Sequence, residues 1–436
     1  MIFGLLLWEL GRFCDIFGYM YNFLQGRLVF VRICLLTASL ALVAVGIVSI
    51  YAVGNPAEPS PTGETERLSG YWQKQVVFAA IAAIGYVAIN LISYRRLGTV
   101  SYWAYGLVLL LLAVLLVSRY IVPLPFVPER NGTHRWIIFE LAGWDLPALQ
   151  PSEICKIAYI LALAWYLRYR SNYRSLKVLI GPFALTLLPM MLILAEPDLG
   201  TVLLMMPILF TMLFVAGAKV RHLLLIILLA VLVSPLLWGQ MDGQRRRRIS
   251  SVLLQSRWLQ DKAEQHPKLG KILVGRDFSK KAWKNDWGFH LIRSKFAVAS
   301  GGKSGYGFRR GPFVKYDFLP ERHNDFIFAS IAHQSGFYGC LGLLALYAVV
   351  VGCGLEIAVH NTDAFARLTA VGIVAMFVVE VLVNVNMTVG LMPITGLTLP
   401  LVSYGGSSLL VNSVCIGLLN NIGRSRPFSV APKSFE

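Results

Sequence analysis

The sequence predicts an all-α polytopic membrane protein. Hydrophobic residues make up 56% of its 436 residues and charged residues 14%, and the mean hydropathy is +0.62. A soluble chain of this length normally carries much less apolar sequence. The apolar residues also fall in separate runs, most of them close to the roughly 20 residues that a helix needs to cross a bilayer. Together these observations predict about ten transmembrane helices.

Ten segments have the composition expected of membrane helices, although the fourth is short and the ninth contains Glu380, Asn384 and Asn386. In chain order they are Val31–Val53, Trp72–Ile92, Thr99–Val122, Ile154–Leu167, Leu179–Ala195, Leu199–Ala218, Leu223–Trp238, Phe326–Val351, Leu368–Leu391 and Ser407–Ile422. Before them, residues 1–30 mix aromatic and charged side chains. This mixture predicts an interfacial amphipathic segment and not a cleaved signal.

The Lys and Arg residues of the short connections predict the orientation. If the helices alternate, these residues fall on one side, which the positive-inside rule identifies as the cytoplasm. They are Arg95, Arg96, Arg168, Arg170, Arg174, Lys177, Lys219, Arg221, Arg424, Arg426 and Lys433. Both termini are then cytoplasmic. The expected organisation is an N-terminal segment (1–30), helices one to seven (31–239), a long basic extracytoplasmic loop (240–324), helices eight to ten (325–425) and a cytoplasmic tail (426–436).

The long loop carries many of the basic residues behind the net charge of +17. Its Arg245–Arg248 run has two interpretations that the sequence leaves open: a basic surface on anionic lipid headgroups, or a basin for a phosphorylated substrate. Nucleic acid is not an expected partner, because no recognition motif accompanies the basic residues. The cysteines and histidines lack metal-binding spacing, so no metal site is predicted. A divalent cation as cofactor is neither required nor excluded.

Polar clusters lie at the predicted outer ends of helices. Arg135 and Trp136 precede the sequence QPSEICK, in which Glu153 and Lys156 have the i,i+3 spacing of an ion pair on one helix face. Ionisable groups inside a membrane span are costly and usually functional. Glu153 and Lys156 are either a structural ion pair or components of a functional site, and the sequence leaves both interpretations open.

Two further clusters interrupt the apolar pattern. Glu196 and Asp198 flank Pro197 in a turn of minimal length, for which ordinary turn capping is the favoured interpretation. The stretch Met392–Ser408 contains two prolines and three glycines and cannot be a continuous helix. Irregular backbone at membrane depth must be buried in protein or line a cavity. Cavity lining is expected here, with hydroxyls supplied by Ser403, Tyr404 and Ser407.

The stretch ERHNDFIFAS, residues 321–330, places Arg322, His323 and Asp325 directly before the eighth apolar segment. Residue types alone favour a helix N-terminus, with Asn324 as the cap and Asp325 in the first turn, where a carboxylate complements the helix dipole. A functional carboxylate at the membrane boundary is the alternative.

Several motifs together resemble the SEDS (shape, elongation, division and sporulation) proteins over about residues 30–425. They are RWI, QPSExxK, PDLGT, the S-K-x-A-x-x-SGG-x-x-G-x-G pattern at 294–307, FLPERHxDFIFA at 318–329, and P-x-TG-x-x-LP-x-x-SYGGSS. The PERH and P-x-TG spellings are closer to the rod-shape (RodA) branch, and GLTLP is closer to the division (FtsW) branch. The chain departs from the family at Asn324, Glu196 and Glu380, where the family usually has Thr, Gln and Gln.

The resemblance implies a peptidoglycan glycosyltransferase in the bacterial cytoplasmic (inner) membrane, whose active site faces outward. Its substrates would be lipid II and the undecaprenyl-linked glycan, and a class B penicillin-binding protein and other elongation-complex membrane proteins would be its partners. Asp325 would be the catalytic base. The candidates for holding pyrophosphate are Arg135, Lys303, Arg309, Arg310 and Arg322. The remaining candidates for substrate binding are Trp136, Glu153, Lys156, Asp198, His323, Ser403, Tyr404 and Ser407.

Two other functions are compatible with the sequence. A transporter or lipid flippase would use broken helices and mid-membrane polar groups such as Glu380, Asn384 and Asn386. A non-catalytic scaffold for a cell-wall transpeptidase would need only the membrane fold and its partner surface.

Overall fold

The computed structural model describes residues 28–58, 68–129, 133–138, 140–141, 144–145, 148–169, 176–316 and 318–425. The predicted N-terminal segment (1–30) lies outside these residues except for its last three. The predicted tail (426–436) lies wholly outside them.

A helix occurs at each of the ten predicted membrane segments. These helices are α1 (Val29–Gly54), α2 (Tyr71–Leu91), α3 (Tyr94–Tyr120), α4 (Pro151–Leu167), α5 (Ile180–Ala195), α6 (Leu199–Val215), α7 (Val220–Gln240), α14 (Ile327–Val359), α15 (Ala364–Val389) and α16 (Gly406–Arg424). A short 3-10 helix (Leu176–Leu179) leads into α5. Within the described residues, six of these helices are long and apolar enough to cross a membrane, namely α1, α2, α3, α5 with its preceding turn, α14 and α15. The all-α membrane fold is confirmed, and the count of ten spans stays a prediction.

The core of the bundle surrounds α15, whose apolar stretch is mostly buried. It contacts α4, α6, α14 and α16. By contrast, α7 exposes most of its apolar side chains, including Leu228, Leu232 and Leu236. An apolar surface of this extent is expected where a helix faces lipid.

The connection between α7 and α14 is helical instead of being an extended loop. It contains α8 (Gly243–Leu253), α9 (Arg257–Gln265), α10 (Pro267–Val274), α11 (Lys280–Asn285), α12 (Phe289–Ser300) and α13 (Pro312–Lys315). Helices α8 to α11 surround a small apolar cluster of their own. Its buried members are Leu254, Ala263, Val274, Phe278 and Trp283. This cluster is separate from the core of the membrane bundle.

The predicted eighth span is not a continuous helix. Within α14, Gly336 has φ 64° and ψ −161°, which interrupts the helix and separates residues 327–335 from 337–359. Glycine tolerates this backbone conformation because it has no Cβ. The loop after α12 fills the break, since the amides of Phe337 and Tyr338 donate to the carbonyls of Gly302 and Lys303 at 2.9 and 3.2 Å. Every residue from Ile327 to Gln334 is buried, whereas Phe337 and Tyr338 are exposed.

A short irregular region precedes α4. The two-residue strands β1 (Glu140–Leu141) and β2 (Trp144–Asp145) pair antiparallel. The amide of Ile137 donates to the carbonyl of Leu149 at 2.8 Å, and the amide of Leu149 returns a bond of 2.9 Å. These bonds bring Arg135 and Trp136 next to the start of α4.

Candidate active site

Asp325 lies in a turn and not in the first turn of a helix. The amides of Asn324 and Phe326 both donate to the carbonyl of Glu321, which has φ 49°, and α14 begins only at Ile327. The predicted cap is therefore wrong, because the turn at Glu321 keeps the Asn324 side chain away from the free amides of α14. Phe326 occupies the cap position, and no side chain caps the helix.

The backbone of residues 323–325 is fixed by the irregular stretch before α16 and by α15. The Tyr404 amide donates to the carbonyl of His323 at 3.0 Å, and the Ser403 hydroxyl donates to that of Asn324 at 2.9 Å. The Asn384 amide group donates both to the carbonyl of Asp325 at 3.0 Å and to that of Leu397 at 2.7 Å. One side chain of α15 thus joins the two segments.

The Asp325 carboxyl is half-buried and close to Gly396, where an added Cβ would lie 3.6 Å from Oδ2. Burial raises the pKa of Asp325 to about 7, and the charges of Glu321 and Asp198 also raise it. The charges of Arg248 and Arg135 act in the opposite direction. Two basic and two acidic side chains from separate parts of the sequence are therefore within electrostatic reach of Asp325.

Arg135 secures the turn between α5 and α6. Its guanidinium donates to the carbonyls of Glu196, at 2.8 Å, and Pro197. The Glu196 carboxyl is buried, and its Oε1 has no hydrogen-bond partner among the described residues. Burial, together with the charge of Asp198, raises the pKa of Glu196 to about 9. The raised pKa favours the protonated form of the Glu196 carboxyl at neutral pH.

Asp198 is the cap of α6, as turn chemistry predicts. It accepts hydrogen bonds from the amide and hydroxyl of Thr201 at 3.3 and 3.0 Å, and from the hydroxyl of Ser152 at 2.9 Å. This bond to Ser152 links the turn to the first residues of α4. Asp198 therefore has a structural role, and its negative charge also reaches Asp325.

Lys156 forms a buried ionic cluster with two carboxylates. Its Nζ lies 2.7 Å from Glu153 and 2.6 Å from Glu380, and the side chains of Lys156 and Glu380 are each 1% exposed. The i,i+3 pair expected from the sequence is present, and Glu380 of α15 is its third member. The cluster links α4 to α15 deep in the bundle, which favours the structural interpretation of Glu153 and Lys156.

The polar groups before and within α16 mostly hold the backbone together. Ser407 donates to the carbonyl of Ala148 and accepts from the amide of Gln150, while Ser403 also accepts from the amide of Leu399. Tyr404 belongs instead to an aromatic group. The sequence suggested that the hydroxyls of Ser403 and Ser407 line a cavity. Both hydroxyls are instead engaged in internal hydrogen bonds.

The aromatic group consists of Tyr71, His323 and Tyr404. The Tyr71 and Tyr404 rings stack with centroids 4.8 Å apart, and the His323 ring lies 5.0 Å from Tyr71 and 5.6 Å from Tyr404. Burial and the charge of Arg322 lower the pKa of His323 to about 4. His323 is therefore neutral at pH 7, and its uncharged ring packs against Tyr71 and Tyr404.

The basic residues that the sequence suggested for holding pyrophosphate lie in different parts of the structure. Buried Arg322 donates to the carbonyls of Phe313 and Val314 and anchors α13. Arg309 donates to the carbonyls of Asn55 and Pro56 beyond the end of α1.

Lys303 and Arg310 are exposed, and Lys303 lies beside the helix break at Gly336. That break is nine residues after the start of α14, or about 14 Å along a helix. Trp136 is half-buried next to Arg135.

Arg248 of α8 is a further basic residue of interest. The sequence did not distinguish it from the rest of the Arg245–Arg248 run. It is exposed, and its guanidinium has no hydrogen bond or ion pair with the residues that the structure describes. Its charge acts on Asp325 and on His290, whose ring stacks on Phe326. The charge of Arg248 is therefore within electrostatic reach of the turn that carries Asp325, and its exposed guanidinium is available to a ligand.

No group of three or more His, Cys, Asp or Glu side chains that could hold a metal ion occurs in the described ranges.

Comparison with known proteins identifies the family. A family model for the FtsW, RodA and SpoVE proteins, described as cell cycle protein, matches residues 32–427. The chain belongs to this family. The resemblance to SEDS proteins seen in the motifs is thereby confirmed.

Curated members of the FtsW/RodA/SpoVE family are similar over most of the chain. Peptidoglycan glycosyltransferase RodA of Treponema pallidum is 32% identical over 438 residues, which cover 89% of this chain and 96% of the relative. Peptidoglycan glycosyltransferase MrdB of Escherichia coli is 35% identical over 297 residues, which cover 68% and 72%.

Solved structures of FtsW/RodA/SpoVE proteins share the fold. Rod shape determining protein RodA of Thermus thermophilus has a TM-score of 0.58 and 27% identity, covering 89% of this chain and 95% of that chain. A chain from a structure described as structural coordination of polymerization and crosslinking by a peptidoglycan synthase complex has a TM-score of 0.67 and 29% identity, covering 89% and 96%. The membrane bundle is thus that of the FtsW/RodA/SpoVE family.

Proposed function

We propose that this protein polymerises lipid II into glycan strands during cell elongation, with Asp325 as the catalytic base. That the chain is a peptidoglycan glycosyltransferase follows from its family and from the names of its curated relatives. The observation that carries the catalytic assignment is the half-buried Asp325 carboxyl, on a backbone fixed by Asn384, within electrostatic reach of two arginines.

In the proposed reaction, the 4-hydroxyl of a lipid-linked glucosamine attacks the anomeric carbon of the growing chain. The hydroxyl proton passes to the Asp325 carboxylate as the new carbon–oxygen bond forms. The bond from the anomeric carbon to the pyrophosphate oxygen breaks, and undecaprenyl pyrophosphate leaves with the electron pair. A general base is most effective when its pKa is near the working pH, and the pKa of about 7 at Asp325 meets that condition.

The leaving pyrophosphate needs cationic stabilisation. Arg248 supplies it in this proposal, because it is exposed, uncommitted to the described residues and coupled to Asp325. Arg135 contributes charge from a fixed position, since its guanidinium already holds the turn at Glu196. Lys303 and Arg310 are exposed and lie outside this immediate group, where they could meet the glycan or its lipid carrier.

We also propose an orientation and a partner for this protein. The active site faces the extracytoplasmic side of the inner membrane, residues 240–324 lie on that side, and both termini are cytoplasmic. The partner is a class B penicillin-binding protein of the elongation complex. The similarity to a chain of a peptidoglycan synthase complex supports a partner of this kind.

The rival transport function loses its main support. Glu380 is bound to Lys156, and Asn384 holds the carbonyls of Asp325 and Leu397. Asn386 donates to the carbonyl of Leu382 in its own helix. These are the groups that a passage through the bundle would have used, and each has an internal partner.

The test is polymerisation of labelled lipid II by the purified protein with its transpeptidase partner. Asp325→Asn keeps the size of the side chain and removes the base, so strand formation should fall about 100- to 10,000-fold. Asp363→Asn is the matched control, because Asp363 caps the start of α15 and interacts with Tyr94, and its charge is not among those that act on Asp325. Equal strand formation by Asp325→Asn and the unmodified protein would refute the catalytic assignment. Lipid II crossing liposomes without any strand formation would favour transport.

A further inference from the structure

The helical unit α8 to α11, residues 243–285, has a surface that the glycosyltransferase function does not use. Residues 255–287 contain eight Lys and Arg and four Asp and Glu. All four acidic side chains are within ion-pair distance of a basic one, namely Asp261 and Glu264 with Lys280, Asp277 with Lys271, and Asp286 with Arg276. The excess positive charge therefore resides on other residues. They are Arg257, Lys262, Lys268, Lys281 and Lys284, all exposed.

Two of these lysines share a helix face with a large exposed apolar side chain. On α9, Lys262 is four residues after Trp258, and its Nζ lies 4.2 Å from the centre of the Trp258 ring, which is 62% exposed. On α10, Lys268 is four residues before Ile272, which is 56% exposed. Residues four apart lie on the same face of a helix. Each helix thus presents one apolar side chain and one ammonium group together.

The unit is attached to the end of a helix whose surface is apolar. Trp238, near the end of α7, donates its indole N–H to the carbonyl of Ile272 at 2.8 Å. Along α7, Leu228, Leu232 and Leu236 are 55%, 64% and 72% exposed, as expected of a surface in contact with acyl chains. Ile272 is therefore beside the point where α7 leaves the hydrocarbon layer.

Apolar and aromatic side chains paired with lysines are typical of elements that lie in the headgroup region. The apolar part enters the acyl boundary, and the ammonium group extends toward lipid phosphate. The geometry points to a lipid-binding surface formed by Trp258, Lys262, Lys268 and Ile272, whose ligand is the phosphate headgroup of an anionic phospholipid. This surface is independent of the catalytic assignment of Asp325.

The surface has a direct connection to α8, the helix of Arg248. The Ser250 hydroxyl of α8 donates to the carbonyl of Leu273 in α10 at 2.6 Å. Leu254 and Val274 also belong to the apolar cluster shared by these helices. The lipid-binding surface is thus joined through α10 to the helix that carries Arg248.

Hydrogen–deuterium exchange of the full-length protein in nanodiscs tests the inference. The bilayers are phosphatidylcholine alone or with one-third phosphatidylglycerol. Exchange of residues 257–274 should be slower with phosphatidylglycerol, by about fivefold for each lysine near the anionic surface. The double variant Lys262→Gln with Lys268→Gln should lose this difference.

The matched control is Lys281→Gln with Lys284→Gln on α11. It removes the same charge from the same unit, and no large apolar side chain of α11 is exposed among the described residues. The control should keep the difference between the two bilayers. Equal exchange in both bilayers, or equal loss in both double variants, would overturn the inference. Protection that arises only when the transpeptidase partner is added would show a protein-docking surface instead.

Discussion

At the scale of single residues, Asp325 combines a fixed backbone with a partly exposed carboxyl. Its backbone carbonyl is held by Asn384, while its carboxyl remains partly exposed and close to Gly396. A fixed backbone with an accessible carboxyl is what a proton acceptor for an incoming hydroxyl requires. The surrounding charges then determine the pH at which that acceptor works.

The first prediction concerns this pH dependence. The pKa of Asp325 is raised to about 7, so the basic form, and with it the polymerisation rate, should rise with pH through about 7 and then level off. The charge of Glu321 contributes to the increase. Glu321→Gln should therefore move the acidic limb of the pH–rate profile to lower pH. Glu356→Gln, at the far end of α14, is the control and should leave the limb in place.

The second prediction concerns Arg248. Arg248→Ala removes a cation proposed to stabilise the leaving pyrophosphate, so turnover should fall about 10- to 1,000-fold. Because the charge of Arg248 lowers the pKa of Asp325, the acidic limb should also move to higher pH. Arg248→Lys should restore part of the rate.

Arg247 provides the comparison for this variant. It is the neighbouring residue of α8, and its guanidinium lies 5.7 Å from the centre of the Trp287 ring. Arg247→Ala should keep both the rate and the pH profile. If both alanine variants lose activity to the same extent, general loss of positive charge on α8 explains the result, and a specific role of Arg248 does not.

At the scale of secondary-structure elements, the Lys156 cluster fastens α4 to the central helix α15. Lys156→Met leaves two buried carboxylates without a cation, which should cost about 3–5 kcal/mol in the free energy of unfolding. Glu380→Gln keeps the pair of Lys156 with Glu153 and should cost less. Unfolding by denaturant in detergent micelles measures the difference.

Lys280 is a control with the same number of carboxylate partners. Its Nζ lies 2.6 Å from Asp261 and 2.9 Å from Glu264, but its side chain is 38% exposed. Ion pairs in contact with water contribute only about 0–1 kcal/mol. Equal losses for Lys280→Met and Lys156→Met would show that burial of the cluster does not determine its contribution.

The packing of α1 against the irregular stretch before α16 leaves no room for a side chain at Gly46. A Cβ at Gly46 would lie 2.5 Å from the carbonyl oxygen of Val402, so Gly46→Ala must displace backbone next to Ser403 and Tyr404. Overpacking of this kind typically costs about 1–3 kcal/mol. The variant should lose stability and polymerisation together. Gly106→Ala in α3, where nothing lies within 4 Å of the added Cβ, should lose neither.

At the scale of the whole molecule, the sequence predicts local properties well and long-range contacts poorly. Hydropathy is local, so a helix occurs at each of the ten predicted segments. Asp325 could be proposed as the catalytic carboxylate from the sequence because its motif is continuous, and that role stays a prediction. The connection after α7 has its own core, which cannot be recognised from composition because its apolar residues are few and widely spaced.

The errors originate in a local turn at Asn324 and in contacts between distant residues at Asn384 and Gly336. Asn324 has the right chemistry for a cap, but the turn through Glu321 determines where α14 begins. Asn384 was a candidate for a transport path, and its two hydrogen bonds depend on segments 59 and 13 residues away. Gly336 gave no signal of a break, since glycine also occurs within membrane helices.

The break at Gly336 has a mechanical consequence. The part of α14 that follows it has exposed apolar side chains, and helix tilt is one way in which a membrane span accommodates a change in bilayer thickness. The part before it is enclosed by protein, and the loop after α12 fills the joint between them. Because the helix is interrupted at Gly336, we expect a tilt of residues 337–359 to be absorbed there, so that the position of the Asp325 carboxyl depends less on the thickness of the bilayer.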